Sequence, residues 1–427
     1  MNKHQIETQY QAAREQYAEL GVDTEAVLRQ LEQLEISMHC WQGDDVTGLE
    51  QMAGGTSGGI MSTGSSPGIA RDGDELRDDM AMALSLLPGR HRVNLHASYA
   101  ETGSDQVDRD SYEMRHFEAW LNWARQHQLA VDFNPTLFGH RLADDNMTLT
   151  HPDESTRQFW IRHCQASRRI ADGFGRALGR PSICNIWIPD GSKDIPADRG
   201  VLRRRLKDSL DAILSEALPG EHLVDAIESK LFGVGVESFT AGSHEFYMGY
   251  LAHSHALGRR NVVLTLDMGH YHPTEAVSDK ISALLTFYPR LLVHVSRPVK
   301  WDSDHVVITD DALQDLMREI HRSDAFDRVS LATDFFDGSI NRIAAWVIGL
   351  RATRRAALQA MLEPTERIRE AEAAGRLADR LALTEEAKHL PAQAIWNEFC
   401  VREQVPAGLN YLEPIHEYER KILRERS

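Results

Sequence analysis

The sequence of 427 residues predicts an α/β fold, a (β/α)₈ barrel of the TIM type with helical extensions at its N-terminal and C-terminal ends. Two observations support this fold class. Eight apolar, strand-like runs alternate strictly with longer amphipathic segments, which implies right-handed crossovers and a parallel sheet. In addition, Asp and His residues stand at the ends of several runs, where a barrel of this type places its active site.

The predicted strands are aliphatic or β-branched, as expected for strands buried on both faces. In chain order they are Ile36–Trp41, Arg92–Tyr99, Ala130–Thr136, Ser182–Pro189, Leu223–Gly233, Val262–Asp267, Leu291–Ser296 and Val329–Phe335. Segments of helical periodicity lie between them, and these are Arg109–Gln128, Thr156–Leu178, Val201–Leu218, His244–Leu257, Pro273–Phe287 and Asp311–His321. Eight such units favour closure into a barrel.

The chain is predicted to divide into two regions. Residues 1–362 would form the catalytic barrel with N-terminal helices, and residues 363–427 would form a C-terminal helical extension. The segments Asn341–Leu362 and Glu363–Leu390 both look helical and charged. Such an extension after the last strand is expected to serve packing or oligomerisation rather than catalysis.

Composition restricts the partners of the protein. The formal net charge of −17 argues against binding to nucleic acids or anionic membranes, because both require basic surfaces. It fits a neutral small-molecule substrate. The four cysteines are dispersed without a C-x-x-C motif, so neither a disulfide framework nor a zinc knuckle is expected. The polar N-terminus and the lack of any run of about 18 apolar residues predict a cytoplasmic protein.

One stretch, Gly54–Gly73, is rich in Gly and Ser. It lacks the G-K-[ST] ending of a phosphate-binding loop, so nucleotide binding is not expected. Two interpretations stay open, a mobile flap over the barrel mouth and a plain surface loop.

Three stretches of the second half carry metal-ligand side chains where predicted strands end: Val262–His270, Leu291–Asp304 and Val329–Phe336. A buried strand tolerates Asp or His only when these are paired or bound to a metal. The candidate ligands are Asp267, His270, His294, Asp302, Asp304 and Asp334. Together they predict a site for divalent metal ions.

Each candidate could also have a purely structural role. Asp302 and Asp304 form a D-x-D motif that usually lies in a solvated loop. His270 leads into H-P-T-E, a good helix start, so it could belong to a helix cap. Glu228 and Lys230 are two residues apart in the fifth predicted strand, which would put them on one face as a salt bridge. Core packing alone accounts poorly for such a concentration of charge.

Carboxylate-rich ligation with two imidazoles suits the harder divalent ions, Mn²⁺, Mg²⁺ or Co²⁺, more than a structural zinc. With Glu228 included, seven candidate ligands are too many for one ion, so two ions are predicted. Paired ions suit reactions in which adjacent oxygens are held and polarised.

Eight segments resemble the L-rhamnose isomerase family, and together they span nearly the whole chain. They are Ser37–Val46, Val93–Tyr99, Phe133–Thr136, Asn185–Asp194, Ile227–Ser238, His244–Tyr250, His294–Val307 and Asp334–Gly349. The motifs I-E-S-K-L-F-G-V-G-V-E-S and H-V-S-R-P-V-K-W-D-S-D-H-V-V are long enough to be highly specific. The resemblance implies a (β/α)₈ barrel, a homotetramer, and Mn²⁺-dependent interconversion of L-rhamnose and L-rhamnulose, with Co²⁺, Mg²⁺ or Zn²⁺ as substitutes.

The resemblance also implies roles for individual residues. Glu228, Asp267, His294 and Asp334 would hold a structural ion that anchors substrate hydroxyls, and His270, Asp302 and Asp304 would hold a catalytic ion. His96, Trp187 and Phe336 would line the sugar pocket, and Lys230 would lie beside the reacting oxygens. The expected catalytic side chains are Lys230, Asp302 and Asp334.

Two routes for the isomerisation stay open at this point. Two ions could chelate the open-chain oxygens and polarise the C1 carbonyl, so that a hydride shifts from C2 to C1 while Lys230 stabilises the developing charge. Alternatively, a carboxylate or metal-bound water could abstract a proton to give an enediol. The resemblance to two-metal sugar isomerases favours the hydride shift.

Two other classes of protein are less compatible with the sequence. Amidohydrolases on this barrel usually carry H-x-H on the first strand, whereas this chain has M-H-C at Met38–Cys40. A non-catalytic sugar-binding protein would need neither seven metal ligands nor a lysine among them.

Overall fold

The computed structural model describes residues 2–50, 64–232 and 238–426. The strands in these residues are β1 (Ile36–His39), β2 (His91–His96), β3 (Ala130–Asn134), β4 (Ser182–Ile186), β5 (Gly191–Ser192), β6 (Leu223–Glu228), β7 (Phe239–Thr240), β8 (Val262–Asp267), β9 (Leu291–Val295) and β10 (Val329–Thr333). Eight of them form a closed parallel barrel in the order β1-β10-β9-β8-β6-β4-β3-β2, and β5 and β7 pair antiparallel outside it. The predicted fold class is confirmed.

Helices surround the barrel and extend it at both ends. In the described residues they are α1 (Lys3–Glu19), α2 (Thr24–Gln33), α3 (Gly73–Leu84), α4 (Glu118–Gln126), α5 (Glu154–Leu178), α6 (Arg199–Ile213), α7 (His244–Ala256), α8 (Ser278–Leu285), α9 (Asp311–Arg322), α10 (Arg342–Met361), α11 (Thr365–Ala373), α12 (Leu377–Ala387), α13 (Ala392–Arg402) and α14 (Leu412–Lys421). None of them combines the length and apolar character needed to cross a membrane.

The eight predicted barrel strands are confirmed, and most were predicted too long at their C-terminal ends. The chain after β1 turns at once into a 3₁₀ helix, Trp41–Gly43, and the chain after β2 does the same at Ala97–Tyr99. The apolar sequence continues beyond the last paired residue of these strands into the following loops. The predicted strands were therefore too long. Gly233, the predicted end of the fifth barrel strand, lies outside the described residues.

Two predicted helices are wrong at their N-terminal ends. Arg109–Gln128 is helical only from Glu118, because the preceding residues form two 3₁₀ turns separated by extended backbone at Tyr112 and Glu113. The side chain of His116 accepts the Glu113 N–H at 3.0 Å, a local bond that competes with the helix.

The second is Pro273–Phe287, which becomes helical only at Ser278. His272 Nδ1 accepts the Thr274 N–H at 3.2 Å and holds the segment in a turn. The H-P-T-E segment, which the sequence analysis interpreted as a helix start, therefore lies in a loop.

The Gly-rich stretch Gly54–Gly73 is only partly described, since residues 54–63 lie outside the described residues. Its described part packs on the barrel mouth. The Ser66 N–H donates to the Gly338 carbonyl at 2.7 Å, and the Ala70 N–H donates to the Gly43 carbonyl at 3.0 Å. The flap interpretation concerns residues 54–63 and stays a hypothesis.

The C-terminal helices differ in how they pack. Helix α13 lies against α1 and buries Trp396 and Phe399 in the main core. An ion pair between Arg402 and Glu25, at 2.7 Å, joins the two ends of the chain. Helix α12, by contrast, contributes no buried residue.

The barrel interior is built from alternate residues of each strand, because side chains alternate between the two faces of a sheet. Its lower part contains an apolar cluster of Ile183, Val224, Ala226, Val263, Leu292 and Ala332. Two residues after Ala226, Leu292 and Ala332 come Glu228, His294 and Asp334. The period-two pattern therefore places these polar side chains above the apolar cluster, at the C-terminal mouth of the barrel.

Candidate metal centre

Four side chains at the barrel mouth converge on one point, and we call them the first ligand group. Glu228, Asp267, His294 and Asp334 each offer a ligand atom, and these atoms lie within 4.8 Å of one another. His294 Nδ1 is 3.4 Å from Glu228 Oε1, 3.5 Å from Asp267 Oδ2 and 3.4 Å from Asp334 Oδ2. The sequence analysis assigned this set to one ion.

The strands of the barrel bring these side chains together. Glu228 is the last residue of β6 and Asp267 the last residue of β8, while His294 faces Asp267 across the β8–β9 pair. Asp334 directly follows β10, and its N–H donates to the Val295 carbonyl at 3.0 Å. Neighbouring parallel strands end at the same edge, so ligands distant in sequence become neighbours.

Both fully buried carboxylates of the group have one oxygen anchored by the protein. Asn185 Nδ2 donates to Glu228 Oε2 at 2.5 Å, and Asn185 Oδ1 in turn accepts from Thr265 Oγ1 at 2.6 Å. Ser296 Oγ donates to Asp267 Oδ1 at 3.0 Å. The second oxygen of each carboxylate, Oε1 of Glu228 and Oδ2 of Asp267, points toward His294.

This donor set fits a divalent cation. Glu228 Oε1 and His294 Nδ1 are buried and lie 3.4 Å apart, and neither makes a hydrogen bond of good geometry among the described residues, although His270 Nδ1 approaches Glu228 Oε1 to 3.1 Å. Buried polar atoms are nearly always paired, so two orphans that face each other indicate a missing partner. A cation bound between the carboxylates and the imidazole would satisfy both, and carboxylate-rich ligation suits Mn²⁺ or Mg²⁺.

Without a cation, the imidazoles balance the carboxylates. Burial opposes the charge on Glu228, but His294 and His270 outweigh it and hold the pKa of Glu228 well below its usual range. Burial likewise opposes the charge on His294, but the surrounding carboxylates raise its pKa well above the usual value, with Glu228 contributing most. Because a metal needs a neutral imidazole, ion binding here should release protons.

A second ligand group lies beside the first and shares one carboxylate with it. Asp267, His270 and Asp302 place their ligand atoms within 4.8 Å of one another. His270 Nε2 lies 3.3 Å from Asp302 Oδ2, and its Nδ1 lies 3.1 Å from the Ser229 carbonyl. Burial raises the pKa of Asp267 to about 6, although the charge of His270 opposes this. The arrangement provides adjacent places for two ions.

Gly269 is required by close packing. A Cβ atom at this position would collide with Asp302 Oδ1. The sequence analysis did not foresee this contact, because Asp302 is far away along the chain.

The structural alternative for Glu228 and Lys230, a salt bridge between them, does not form. Strand β6 ends at Glu228, so the two side chains do not share a strand face. Lys230 Nζ instead lies 2.8 Å from Asp302 Oδ2 and 5.2 Å from the centre of the Trp187 ring. Burial opposes its charge, but Asp302 outweighs burial and raises the pKa of Lys230, so the ammonium group is charged.

Asp304 lines the same cavity, but its carboxylate belongs to neither ligand group of the described residues. It has a positive φ of 47°, which Asp tolerates better than most residues. Burial, together with the neighbouring charges of Asp302 and Asp334, raises the pKa of Asp304 well above its usual value. An ion held by Asp302 would remove part of that repulsion.

Aromatic side chains line the same cavity as the ligands. His96, Trp187 and Phe336, the predicted pocket residues, all line it. His96 Nε2 lies 3.1 Å from Asn134 Nδ2, which makes Nε2 the acceptor and leaves the proton on Nδ1. Burial lowers the pKa of His96 to about 3, so the ring is neutral.

Sequence reasoning missed four further lining residues, Trp41, Val46, Asn134 and Phe138. Trp41 and Asn134 could have been predicted to line the cavity, because they lie at or near the C-terminal ends of predicted strands. Val46 and Phe138 lie in loops, and their place in the wall depends on tertiary contacts. Trp41 packs edge-on against His96, with ring centres 4.4 Å apart.

The family model and the related proteins that match this chain all indicate the same family. A family model described as L-rhamnose isomerase (RhaA) matches residues 4–426. A protein of Shigella flexneri serotype 5b named L-rhamnose isomerase is 54% identical over 422 residues, with 99% of each chain covered. A protein of Yersinia pseudotuberculosis with the same name is 54% identical over 421 residues, again with 99% of each chain covered.

Solved structures are more distantly similar. An L-ribulose 3-epimerase aligns with a TM-score of 0.48 at 13% identity, covering 79% of this chain and 97% of its own. A xylose isomerase domain protein from Alicyclobacillus acidocaldarius aligns with a TM-score of 0.45 at 12% identity, covering 77% of this chain and 99% of its own.

The ion bound by the first ligand group should stabilise the protein more than the ion bound by the second. We expect Mn²⁺ to raise the melting temperature of the wild-type protein. A ligand that binds only the folded state stabilises that state by about 2.7 kcal/mol when its free concentration is 100 times its Kd. Asp302→Asn with Asp304→Asn should keep much of this effect, because the first ligand group is intact. Glu228→Gln should lose most of it.

Melting curves with and without Mn²⁺ measure these effects. A variant with Asp194→Asn and Asp208→Asn, two exposed aspartates, controls for the loss of negative charge. If the Asp302/Asp304 variant loses all Mn²⁺-dependent stabilisation, the division into two independent ions is wrong.

Proposed function

Because the chain belongs to the L-rhamnose isomerase family, we propose that it interconverts the aldose L-rhamnose and the ketose L-rhamnulose with two bound divalent ions. The chain is an isomerase by this membership. The main structural support is the pair of buried orphan atoms, Glu228 Oε1 and His294 Nδ1, beside a second ligand group and an aromatic wall. A sugar needs this combination, since its hydroxyls bind polar groups while its C–H faces pack on aromatic rings.

We assign one ion to Glu228, Asp267, His294 and Asp334, and the other to His270 and Asp302, with Asp267 common to both groups. Asp304, which lines the same cavity outside both groups, is the further ligand of the second ion that the family resemblance implies. Mn²⁺ is the proposed ion, and Co²⁺, Mg²⁺ or Zn²⁺ are substitutes. When bound, the ions would hold adjacent sugar oxygens and polarise the carbonyl group. The anchoring of Glu228 by Asn185 and of Asp267 by Ser296 fixes the direction of the ligands before binding.

Lys230 is the proposed electrostatic catalyst. Its ammonium group is buried, charged and held at the cavity by Asp302 at 2.8 Å. A fixed positive charge in a site shielded from water stabilises negative charge that develops on a carbonyl oxygen. Lys230, Asp302 and Asp334 are the proposed catalytic side chains around the reacting oxygens, where the C2 hydroxyl loses a proton and the C1 oxygen gains one.

We propose a hydride shift rather than an enediol route, as the resemblance to two-metal sugar isomerases implies. Lys230 and His270 overcome the effect of burial and lower the pKa of Asp302, so this carboxylate is a weak base. The pKa values of Asp267 and Asp304, by contrast, are raised. In a hydride shift the C2–H bond breaks with its electron pair and the same hydrogen forms the C1–H bond, so no side chain takes it up.

His96, Trp187 and Phe336 are the proposed sugar contacts. The neutral His96 ring is held by Asn134, and Trp187 lies close to both Lys230 and His270. Such preset side chains hold a substrate with little loss of conformational freedom.

We further propose a cytoplasmic location and a homotetramer. All four cysteines are unpaired and buried, as is usual where thiols stay reduced. Helix α12 has no buried residue, and its Leu377 and Leu381 are 61% and 62% exposed. A helix that exposes leucines on a charged extension fits a contact with another subunit.

Isomerase activity on L-rhamnose should disappear with a chelator and return with Mn²⁺ or Co²⁺, because the ligands alone cannot polarise the carbonyl. Formation of L-rhamnulose measures it. With L-rhamnose deuterated at C2, the label should be found at C1 of the product. Full activity in metal-free protein would contradict the two-ion proposal, and loss of the label to water would favour the enediol route.

Lys230→Met should lower kcat about 100-fold, as expected for a lost electrostatic stabiliser. Lys280→Met is a matched control, because Lys280 also pairs with a carboxylate, Glu275, and lies over an aromatic ring. Steady-state kinetics and melting curves of both variants decide the question. Near-normal kcat with a lowered melting temperature would make Lys230 a structural residue.

Leu377→Glu with Leu381→Glu should convert the proposed tetramer into smaller species, because two charges would have to be buried at the contact. Sedimentation velocity at several protein concentrations measures the assembly. Leu257→Glu with Leu409→Glu changes two other leucines, which are 55% and 70% exposed, and should leave the assembly intact. A monomeric wild-type protein would contradict the proposal.

A further inference from the structure

A second cavity, of about 460 Å³, opens at the N-terminal end of the barrel, opposite the metal centre. We call it the lower cavity. Binding pockets for small molecules have volumes of roughly 300–1,000 Å³, so it can hold a ligand. It shares no lining residue with the cavity at the barrel mouth.

The floor of the lower cavity is apolar. Four strands contribute their second residues to it, namely Ile183 of β4, Val224 of β6, Val263 of β8 and Leu292 of β9. These four residues belong to the apolar cluster inside the barrel. The floor can therefore pack against the apolar body of a ligand and separates that ligand from the metal ligands above.

Arginines form the rim of the lower cavity. Arg90, Arg92, Arg180 and Arg290 line it, together with the carboxylates of Glu35, Asp132 and Asp327. Arg92 is engaged within the fold, since it pairs with Asp132 at 2.7 Å and with Glu35 at 3.1 Å. Arg180 also pairs with Glu35. These ion pairs hold both arginines within the fold, a structural role that accounts for their presence.

No such structural role accounts for Arg90 and Arg290. Both are exposed at the rim, and neither guanidinium group has an ion pair or hydrogen bond among the described residues. The lining has four arginines against three carboxylates, whereas the whole chain has a net charge of −17. A local positive excess on an acidic protein attracts small anions.

We propose that the lower cavity is a binding site for a small organic oxyanion with an apolar body. Arg90 and Arg290 bind the oxyanion, because a guanidinium group matches a carboxylate or phosphate with two parallel hydrogen bonds. The apolar body rests on Val224, Val263 and Leu292. This site is independent of the proposed isomerase activity, since it lies at the other end of the barrel.

Anilinonaphthalene sulfonate is a suitable probe, because it joins an oxyanion to an apolar ring system and fluoresces on binding. We expect saturable binding of one probe per chain to the metal-loaded protein. Arg90→Gln with Arg290→Gln should weaken that binding at least 10-fold, about 1.4 kcal/mol. Arg199→Gln with Arg420→Gln, a matched pair of exposed arginines far from the lower cavity, should leave it unchanged.

Competition experiments against the bound probe identify the preferred oxyanion and the cavity in which the probe binds. Displacement by phenylacetate indicates a carboxylate ligand, and displacement by phenyl phosphate indicates a phosphate ligand. The proposal is overturned if binding is not saturable, if both arginine pairs weaken it equally, or if neither competitor displaces the probe. It is also overturned if L-rhamnose displaces the probe competitively, since the probe would then occupy the cavity at the barrel mouth.

Discussion

The structure depends on the gathering of five carboxylates at one end of a barrel, of which Glu228, Asp267 and Asp302 are buried and Asp304 and Asp334 half-buried. Like charges this close repel one another strongly in a medium of low polarity, so they require compensating positive charge. Lys230 supplies one fixed charge through its pair with Asp302. His270 and His294 supply more only by taking up protons, which the neighbouring carboxylates favour because they raise the pKa values of both imidazoles against the effect of burial. Divalent ions would balance the same charge and leave the imidazoles free to ligate.

The barrel meets this demand by dividing its interior into levels. Apolar residues such as Ala226, Leu292 and Ala332 fill the lower level. The ligands Glu228, His294 and Asp334 each follow one of these residues by two positions. Asn185 and Thr265 form a middle level, in which Thr265 donates to Asn185 and Asn185 donates to Glu228. Since side chains alternate across a strand, one strand can carry a packing residue, an orienting residue and a ligand on its inner face.

Some of the fold could be predicted because local pattern and tertiary environment agree. The run Val262–Asp267 is a strand from its first to its last predicted residue, since its aliphatic side chains are buried on both faces. The two helix errors arose where a single side chain bonds to nearby backbone, as His272 does at Thr274. Periodicity does not report such bonds, because they depend on the rotamer of one residue.

The sequence by itself determined which residues could ligate metals, because buried apolar strands rarely end in Asp or His unless these are paired or bound to a metal. Only the tertiary structure decided which of them lie close enough together to form a ligand group. It placed Asp267 in both ligand groups, paired Lys230 with Asp302 rather than Glu228, and set Asp304 apart from both groups. The physical reason is that strand register and the paths of loops fix distances between residues far apart in sequence, and no local pattern encodes those distances.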